Sequence, residues 1–425
     1  MTIRPYVLLM TTLFSLTSCS YFLGNFEKDI FDKNKITPIS LTQKTICDGT
    51  PKYMAISENE QANQDFKKFI NRLDDQKKLS FVDQVVLWSL LQMNFRPDLS
   101  SPTAKLQMII TYGGKETYLN SFHEGAHRFP YLKALDTLLK QYSSKYSLSE
   151  LAMFLDMYYG YQITVSPSFE KFLSLHKEYL KKHEKAKKAF FRGDEHLRES
   201  ESIPKEKFSR VIRLYNKDHQ HKDYKTSNFL FHYGKQVLVT PNCNFDMDLY
   251  DNSIFLINDK NVQGNIFGLK DGNKSFFAVS SQEVTNINFV KGSLFFQGNS
   301  NIRSAAICTF KHKLHPRQRL WLISTDSRDP GQHLFHLLQY GIDKAQNISE
   351  LSSTMRFSRH LFLKDPVRLI IESRRSSEKQ LDELLKLNIP IYNAKKLGTV
   401  WGFYQDEKNS TFILDDRRSG HIQCN

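Results

Sequence analysis

Asp271-Gly272, followed two residues later by Ser275-Phe276-Phe277-Ala278-Val279, decides how the middle of this chain reads: a tight turn and then a strand. The same punctuation recurs on both sides. Phe229-Leu230-Phe231, Gln236-Val237-Leu238-Val239, Ser253-Ile254-Phe255-Leu256-Ile257 and Leu294-Phe295-Phe296 are short β-rich runs, with Lys291-Gly292 at a second turn position. Residues 226–310 therefore read as an antiparallel β meander, a small sandwich or part of a barrel.

The period changes on either side. Upstream, residues 52–215 follow the helical period. Ser57 with Glu60 has capping-box spacing, and Phe66, Phe69, Ile70 and Leu73 follow at helical intervals. Ser80 with Asp83 opens a second helix that Arg96-Pro97 stops. A third is expected from about Pro102 to Tyr112, ending at Gly113-Gly114, and a fourth from Tyr131 to Tyr142. Ser147 with Glu150 opens a fifth. Ser166-Pro167 starts a long sixth, whose later part, Lys181-Lys182-His183-Glu184-Lys185-Ala186-Lys187-Lys188, reads as a solvated charged face. Residues 195–225 read as a polar linker.

Downstream, residues 316–425 alternate. Leu320-Trp321-Leu322-Ile323 is a strand, Gly331–Ala345 a helix, Val367–Ile371 a strand and Ser377–Leu387 a helix. Ile389-Pro390-Ile391 is a strand, and Val400–Tyr404 with Thr411–Leu414 forms a hairpin. The expected class is thus an α+β multidomain chain. It comprises a helical domain (52–215), an antiparallel β domain (226–310) and an α/β domain (316–425).

The start of the chain carries an address. A short positive start at Arg4 precedes an apolar run from Tyr6 to Leu16, about 11 residues, against the roughly 20 that a membrane span needs. Leu16-Thr17-Ser18-Cys19 follows. This resembles the lipobox of bacterial lipoprotein signal peptides. The resemblance implies removal of residues 1–18, a diacylglycerol on the Cys19 sulfur, and residues 19–51 as a lipidated tether. Several acyl chains together anchor a protein stably, where one does not. In a Gram-negative cell, Ser20 after the cysteine implies the outer membrane, with the body facing the periplasm or the surface. No other segment reaches 18 uninterrupted apolar residues.

Hydrophobic residues make up 40% and aromatics 13%, which excludes low-complexity and collagen-like chains. The formal charge is +14. In an exported protein the partners this charge selects are anionic phospholipid, lipopolysaccharide or acidic wall polymers, and no nucleic acid is expected. Setting Cys19 aside, Cys47, Cys243, Cys308 and Cys424 remain. An even number in an oxidising compartment reads as two disulfides. Of the three possible pairings, Cys243–Cys308 within the strand-rich region and Cys47–Cys424 near the two chain ends are favoured.

Two stretches point toward chemistry. His123-Glu124-Gly125-Ala126-His127 fits H-E-x-x-H and is similar to the zincin metallopeptidases. That resemblance implies His123 and His127 as zinc ligands, Glu124 as general base and Glu150 as a third ligand. The local chemistry is unfavourable: Gly125 weakens a helix, Pro130 ends it, Arg128 sets a cation beside a metal, and Glu150 has a capping role. At the other end, the alternation from Val367 to Asp416 looks similar to one half of a phospholipase D fold. In the register of that family's H-x-K-x-x-x-x-D motif stand Asn409, Thr411 and Asp416, so the resemblance implies a catalytically inactive phosphate-ligand binder. Asp246, Asp248 and Asp251 lack the Gly and distal Glu of a calcium loop. The basic segment His312, His315, Arg317 and Arg319 reads as a solvated linker.

The expectation that follows is a lipid-anchored envelope protein with a binding or scaffolding role and no cofactor. The leaning is against an enzyme. A zinc-dependent peptidase is the alternative.

Overall fold

The computed structural model describes residues 46–47, 51–121, 128–217, 226–227, 239–243, 263–299, 305–312, 319–326, 330, 333–334, 337, 361–364, 368–375, 378–387, 390–394, 397–406 and 409–425. The architecture is mixed α+β. The chain forms two compact units, residues 43–356 with 398–425, and residues 1–42 with 357–397.

The larger unit is built on two sheets. In sheet I the order is β21 (His421–Cys424), β1 (Tyr53–Ser57), β10 (Asn265–Asp271), β11 (Lys274–Ser281), β2 (Lys105–Tyr112), β3 (Lys115–Asn120) and β8 (Thr226–Ser227). In sheet II it is β20 (Ser410–Ile413), β19 (Thr399–Gln405), β15 (Arg319–Thr325), β14 (Ala305–His312) and β9 (Val239–Cys243). Every pairing in both sheets is antiparallel. Smaller ladders join β12 (Glu283–Phe289) to β13 (Phe296–Asn299), β4 (Ile163–Thr164) to β7 (Ser202–Ile203), and β5 (Phe191–Arg192) to β6 (Glu195–His196).

Alternation along the strands sorts side chains into three apolar layers. Tyr53 and Ala55 of β1, Leu106, Met108 and Ile110 of β2, and Phe276 and Ala278 of β11 join the helices on the outer face of sheet I. The residues between them, Met54, Ile56, Ile109, Phe277 and Val279, meet Ile307, Trp321, Ile323, Trp401, Phe403 and Phe412 of sheet II. The far face of sheet II, with Cys308, Leu320, Leu322, Val400 and Ile413, is covered by Leu334 and Leu337. The order of layers is therefore helix, sheet, sheet, helix. Strands buried on both faces read as continuous apolar runs. The sheets pack tightly at Gly268, where an added Cβ would lie 2.7 Å from Phe412 Cζ.

The helices over sheet I are α1 (Glu60–Lys77), α2 (Phe81–Phe95), α3 (Pro130–Gln141), α4 (Leu148–Tyr158), α5 (Pro167–Leu175), α6 (Lys177–Leu180), α7 (Glu184–Phe190) and α8 (Phe208–Lys217). All 15 residues of α2 are buried, as expected of a helix that is apolar around most of its circumference. Capping boxes at Ser80–Asp83 and Ser147–Glu150 open α2 and α4.

Several expectations are corrected. Residues 105–112 are strand β2, not a helix, because their apolar side chains serve two layers at period two. Ser57 ends β1, and Asn59 caps α1 by accepting from the Ala62 N–H at 2.9 Å. The long sixth helix is broken into α5, α6 and α7. The three successive domains do not hold. β1, β2 and β3 of the expected helical region pair with β10 and β11 of the expected β region, and β21 comes from the C-terminal end.

The expected C-terminal α/β unit is likewise divided. In the smaller unit, β16 (Leu361–Lys364) pairs antiparallel with β17 (Arg368–Ile371), which pairs parallel with β18 (Ile391–Asn393). Helix α9 (Glu378–Leu385) connects β17 to β18, and Leu381 packs with Leu369, Ile371 and Ile391. The hairpin β19–β20 belongs to sheet II, with β20 at its edge. A phospholipase-like half-domain needs those elements in one sheet, so that resemblance fails here.

Cys47 and Cys424 form a disulfide across a sequence separation of 377, tying the entry of the larger unit to its last strand. Cys308 is disulfide-bonded and stands opposite Cys243 in the β14–β9 register. Among the described residues, no helix is long and apolar enough to cross a membrane.

Candidate functional site

Antiparallel pairing brings the end of β1, the start of β10, the end of β11, the start of β2 and the start of β21 to one end of sheet I. In sheet II the end of β15 meets the start of β19. Backbone groups run out of ladder partners at strand ends, and here charged side chains take their place. Glu58 follows β1, Arg96 and Asp98 follow α2, Asp326 follows β15, and Arg418 precedes β21. All five are at most 5% exposed.

Glu58 is the hub. Its carboxylate accepts from Arg96 Nη1 and from Arg418 Nε, and from Ser168 Oγ at 3.0 Å. Arg96 also donates to both oxygens of Asp98, at 2.9 and 2.8 Å. Arg418 Nη1 donates to the Gly264 carbonyl and reaches both oxygens of Asp326, at 3.2 and 3.3 Å. Asp326 also accepts from Thr399 Oγ1 at 3.0 Å. Asp326 has a φ of 61°, a left-handed conformation that Asp tolerates better than most residues. One donor, Arg418 Nη2, is buried with no hydrogen-bond partner among the described residues. Burial pulls the Arg418 guanidinium down to about 9. It therefore stays charged at neutral pH.

A neutral polar layer adjoins the charges. Ser100 and Ser280 hydroxyls lie 2.6 Å apart, and Asn265 Nδ2 donates to Ser100 at 2.8 Å. Gln282 Oε1 accepts from Ser101 at 2.7 Å and Thr103 at 2.9 Å. Gly264 leaves no room for a side chain at the mouth of β10, since its Cβ would lie 2.4 Å from Thr325 Oγ1. On the helix side of sheet II, Ser324 Oγ lies 3.4 Å from His333 Nδ1. That imidazole sits where a side chain on Gly398 would be, 1.8 Å from its Cβ position.

Chemically, the arrangement holds carboxylates against guanidinium groups. Glu58, Asp98 and Asp326 are each paired with an arginine, and Asp415 is paired with Arg417 at 3.0 Å. A carboxylate held this way is a weak general base. The hydroxyls that touch them, Ser168 and Thr399, are therefore not activated as nucleophiles.

None of the described residues that the sequence singled out for chemistry belongs to this cluster. His123, Glu124 and His127 fall outside the described residues, as do Cys19, Asp246, Asp248 and Asp251. Glu150 caps α4, accepting from Ser147 N at 2.8 Å and Ser147 Oγ at 2.7 Å. Among the described residues, no group of three His, Cys, Asp or Glu side chains is placed to hold a metal ion. Arg319 is on β15, 3.7 Å from Glu116. The cluster at the strand ends was not legible as a site. Its members come from residues 58, 96, 98, 326 and 418, and the only local signal is a charge at the end of an apolar run.

No protein-family model matches the sequence, and no curated protein matches it. Solved structures do match by shape. The cephalosporin acylase from Bacillus halodurans superposes with a TM-score of 0.57 at 8% identity, covering 93% of this chain and 99% of that one. The chain has the fold of that acylase. Two structures of LmbA2991 give TM-scores of 0.61 and 0.60 at 9% and 10% identity, each covering 91% of this chain and 100% of the other. The fold is thus shared with these structures over nearly the whole chain.

Proposed function

We propose that this chain is a lipid-anchored envelope protein that uses a hydrolase-type fold to bind an amide-bearing ligand without cleaving it. The lipid is the one implied at Cys19, and the location implied with it is the outer membrane. The observation that carries the reading is the charge state of the strand-end cluster. Two arginines face three carboxylates, and each carboxylate is ion-paired with an arginine. No free base is left there to activate a nucleophile. Among the described residues, Arg418 Nη2 remains as an unused donor. Since the five charges leave an excess of one negative, that donor suits a neutral acceptor, such as an amide carbonyl, better than another anion.

The test is a panel of acyl amides and short peptides, scored for thermal stabilisation of the protein and for release of free amine. The expected result is saturable stabilisation, weakened in Arg418→Lys, with no amine release above the blank. Amine release would replace this reading with a second one, acyl-amide hydrolysis, which the acylase fold and the Ser324–His333 contact favour. Loss of that release in Ser324→Ala would then assign the nucleophile. Metabolic labelling with palmitate, lost in Cys19→Ser, tests the anchor separately.

A further inference from the structure

We infer that the surface turn from Lys171 to Lys188 is a second membrane contact, which lays the body on an anionic phospholipid surface; the inference builds on the lipid-anchor reading above. The segment carries seven lysines against two glutamates. Four of those lysines are matched: Lys177 with Glu195, Lys181 with Asp194, Lys185 with Glu206 and Lys188 with Glu184. Lys171, Lys182 and Lys187 are exposed, and among the described residues none of the three forms an ion pair within 4 Å, although Lys187 acts on Glu184 at longer range. Within the same turn, two large apolar side chains face solvent, Leu175 at 71% and Tyr179 at 62% exposure.

Leu175 is the last residue of α5 and lies off the face that buries Phe169 and Leu173, and Tyr179 lies on α6 beyond the break at His176, beside the buried Leu180. The Lys182 ammonium lies 5.3 Å from the centre of the Tyr179 ring. An aromatic ring and a leucine flanked by lysines are what a bilayer interface accepts: the apolar parts enter the headgroup region and the ammonium groups meet phosphates. A soluble polyanion would be met by the lysines alone and would leave Leu175 and Tyr179 in water, so lipid is the better occupant. Between Cys19 and Ile46 lie 26 residues, which drawn out span up to roughly 90 Å, so the anchor does not dictate which face meets the bilayer.

The experiment is sedimentation of the mature chain, with Ser in place of Cys19, against vesicles of phosphatidylcholine alone or with phosphatidylglycerol. The unacylated protein is expected to bind the anionic vesicles, with affinity falling as salt is raised. Each of Lys171→Glu, Lys182→Glu and Lys187→Glu is expected to weaken binding roughly five-fold or more. The pair Leu175→Ser and Tyr179→Ser is expected to weaken it several-fold at unchanged melting temperature. Binding that survives the Leu175 and Tyr179 changes, or that polyphosphate abolishes for both forms alike, would overturn the lipid assignment in favour of an acidic polymer. No binding to either vesicle would overturn the contact altogether. Because the acyl chains are absent from this assay, neither result bears on Cys19, which palmitate labelling decides.

Discussion

At the residue scale, the strand-end cluster makes the strongest demands. Glu58 bridges two buried arginines, so replacing it with Gln breaks two charge-assisted hydrogen bonds in a buried site and leaves each arginine with one aspartate. The expected cost is about 3–5 kcal/mol, read as a lower denaturation midpoint. A nearly neutral Glu58→Gln would show that water reaches the cluster. Gly398 presents a different constraint. Its φ of 147° and its contact with His333 admit no side chain, so Gly398→Ala is expected to cost on the order of 3 kcal/mol, with His333 displaced. An unshifted His333 imidazole resonance in that variant would refute the assignment.

At the element scale, capping gives a pH-dependent prediction. The Ser147 backbone N–H and hydroxyl hold the Glu150 carboxyl below the usual carboxylate range. A group whose folded pKa is depressed adds stability above its unfolded pKa and loses it as pH falls through the folded value. Glu150→Ala is therefore expected to lower the melting temperature at pH 7, with the difference from wild type shrinking below about pH 4. Ser147→Ala, which removes the other half of the box, is expected to cost about 1 kcal/mol. A Glu150→Ala deficit that persists unchanged at pH 3 would mean that packing, not the charged cap, sets its cost.

At the scale of the whole molecule, the decisive fact is that sheet I gathers strands from residues 53 to 424. β1 pairs with β21 on one side and β10 on the other, so the two ends of the larger unit close on each other. The Cys47–Cys424 bond fixes that closure. Cys47→Ser with Cys424→Ser is expected to lower stability by about 2–5 kcal/mol, measured as the urea midpoint. A midpoint equal to that of wild type would show that the β1–β21 ladder alone holds the ends. The same closure gathers the strand-end charges into one place, and it divides the C-terminal α/β alternation between the two units.

The sequence by itself determined the local elements whose signals are short in range: the caps at Ser80, Ser147 and Ser166, the Asp271-Gly272 turn, and the hairpin of residues 399–413. Each depends on hydrogen bonds between residues a few positions apart, which spacing reveals. The failures share one cause. Strands β1 and β2 lie next to helical stretches and are apolar on both faces, so their period-two signal is masked and only their partners in β10 and β11 make them strands. The cluster of Glu58, Arg96, Asp98, Asp326 and Arg418 carries no spacing at all, since its members meet only when seven sheet I strands and five sheet II strands are stacked. Tertiary structure alone decided the four-layer fold and the charges at its end. Both depend on contacts between residues hundreds of positions apart, about which local pattern is silent.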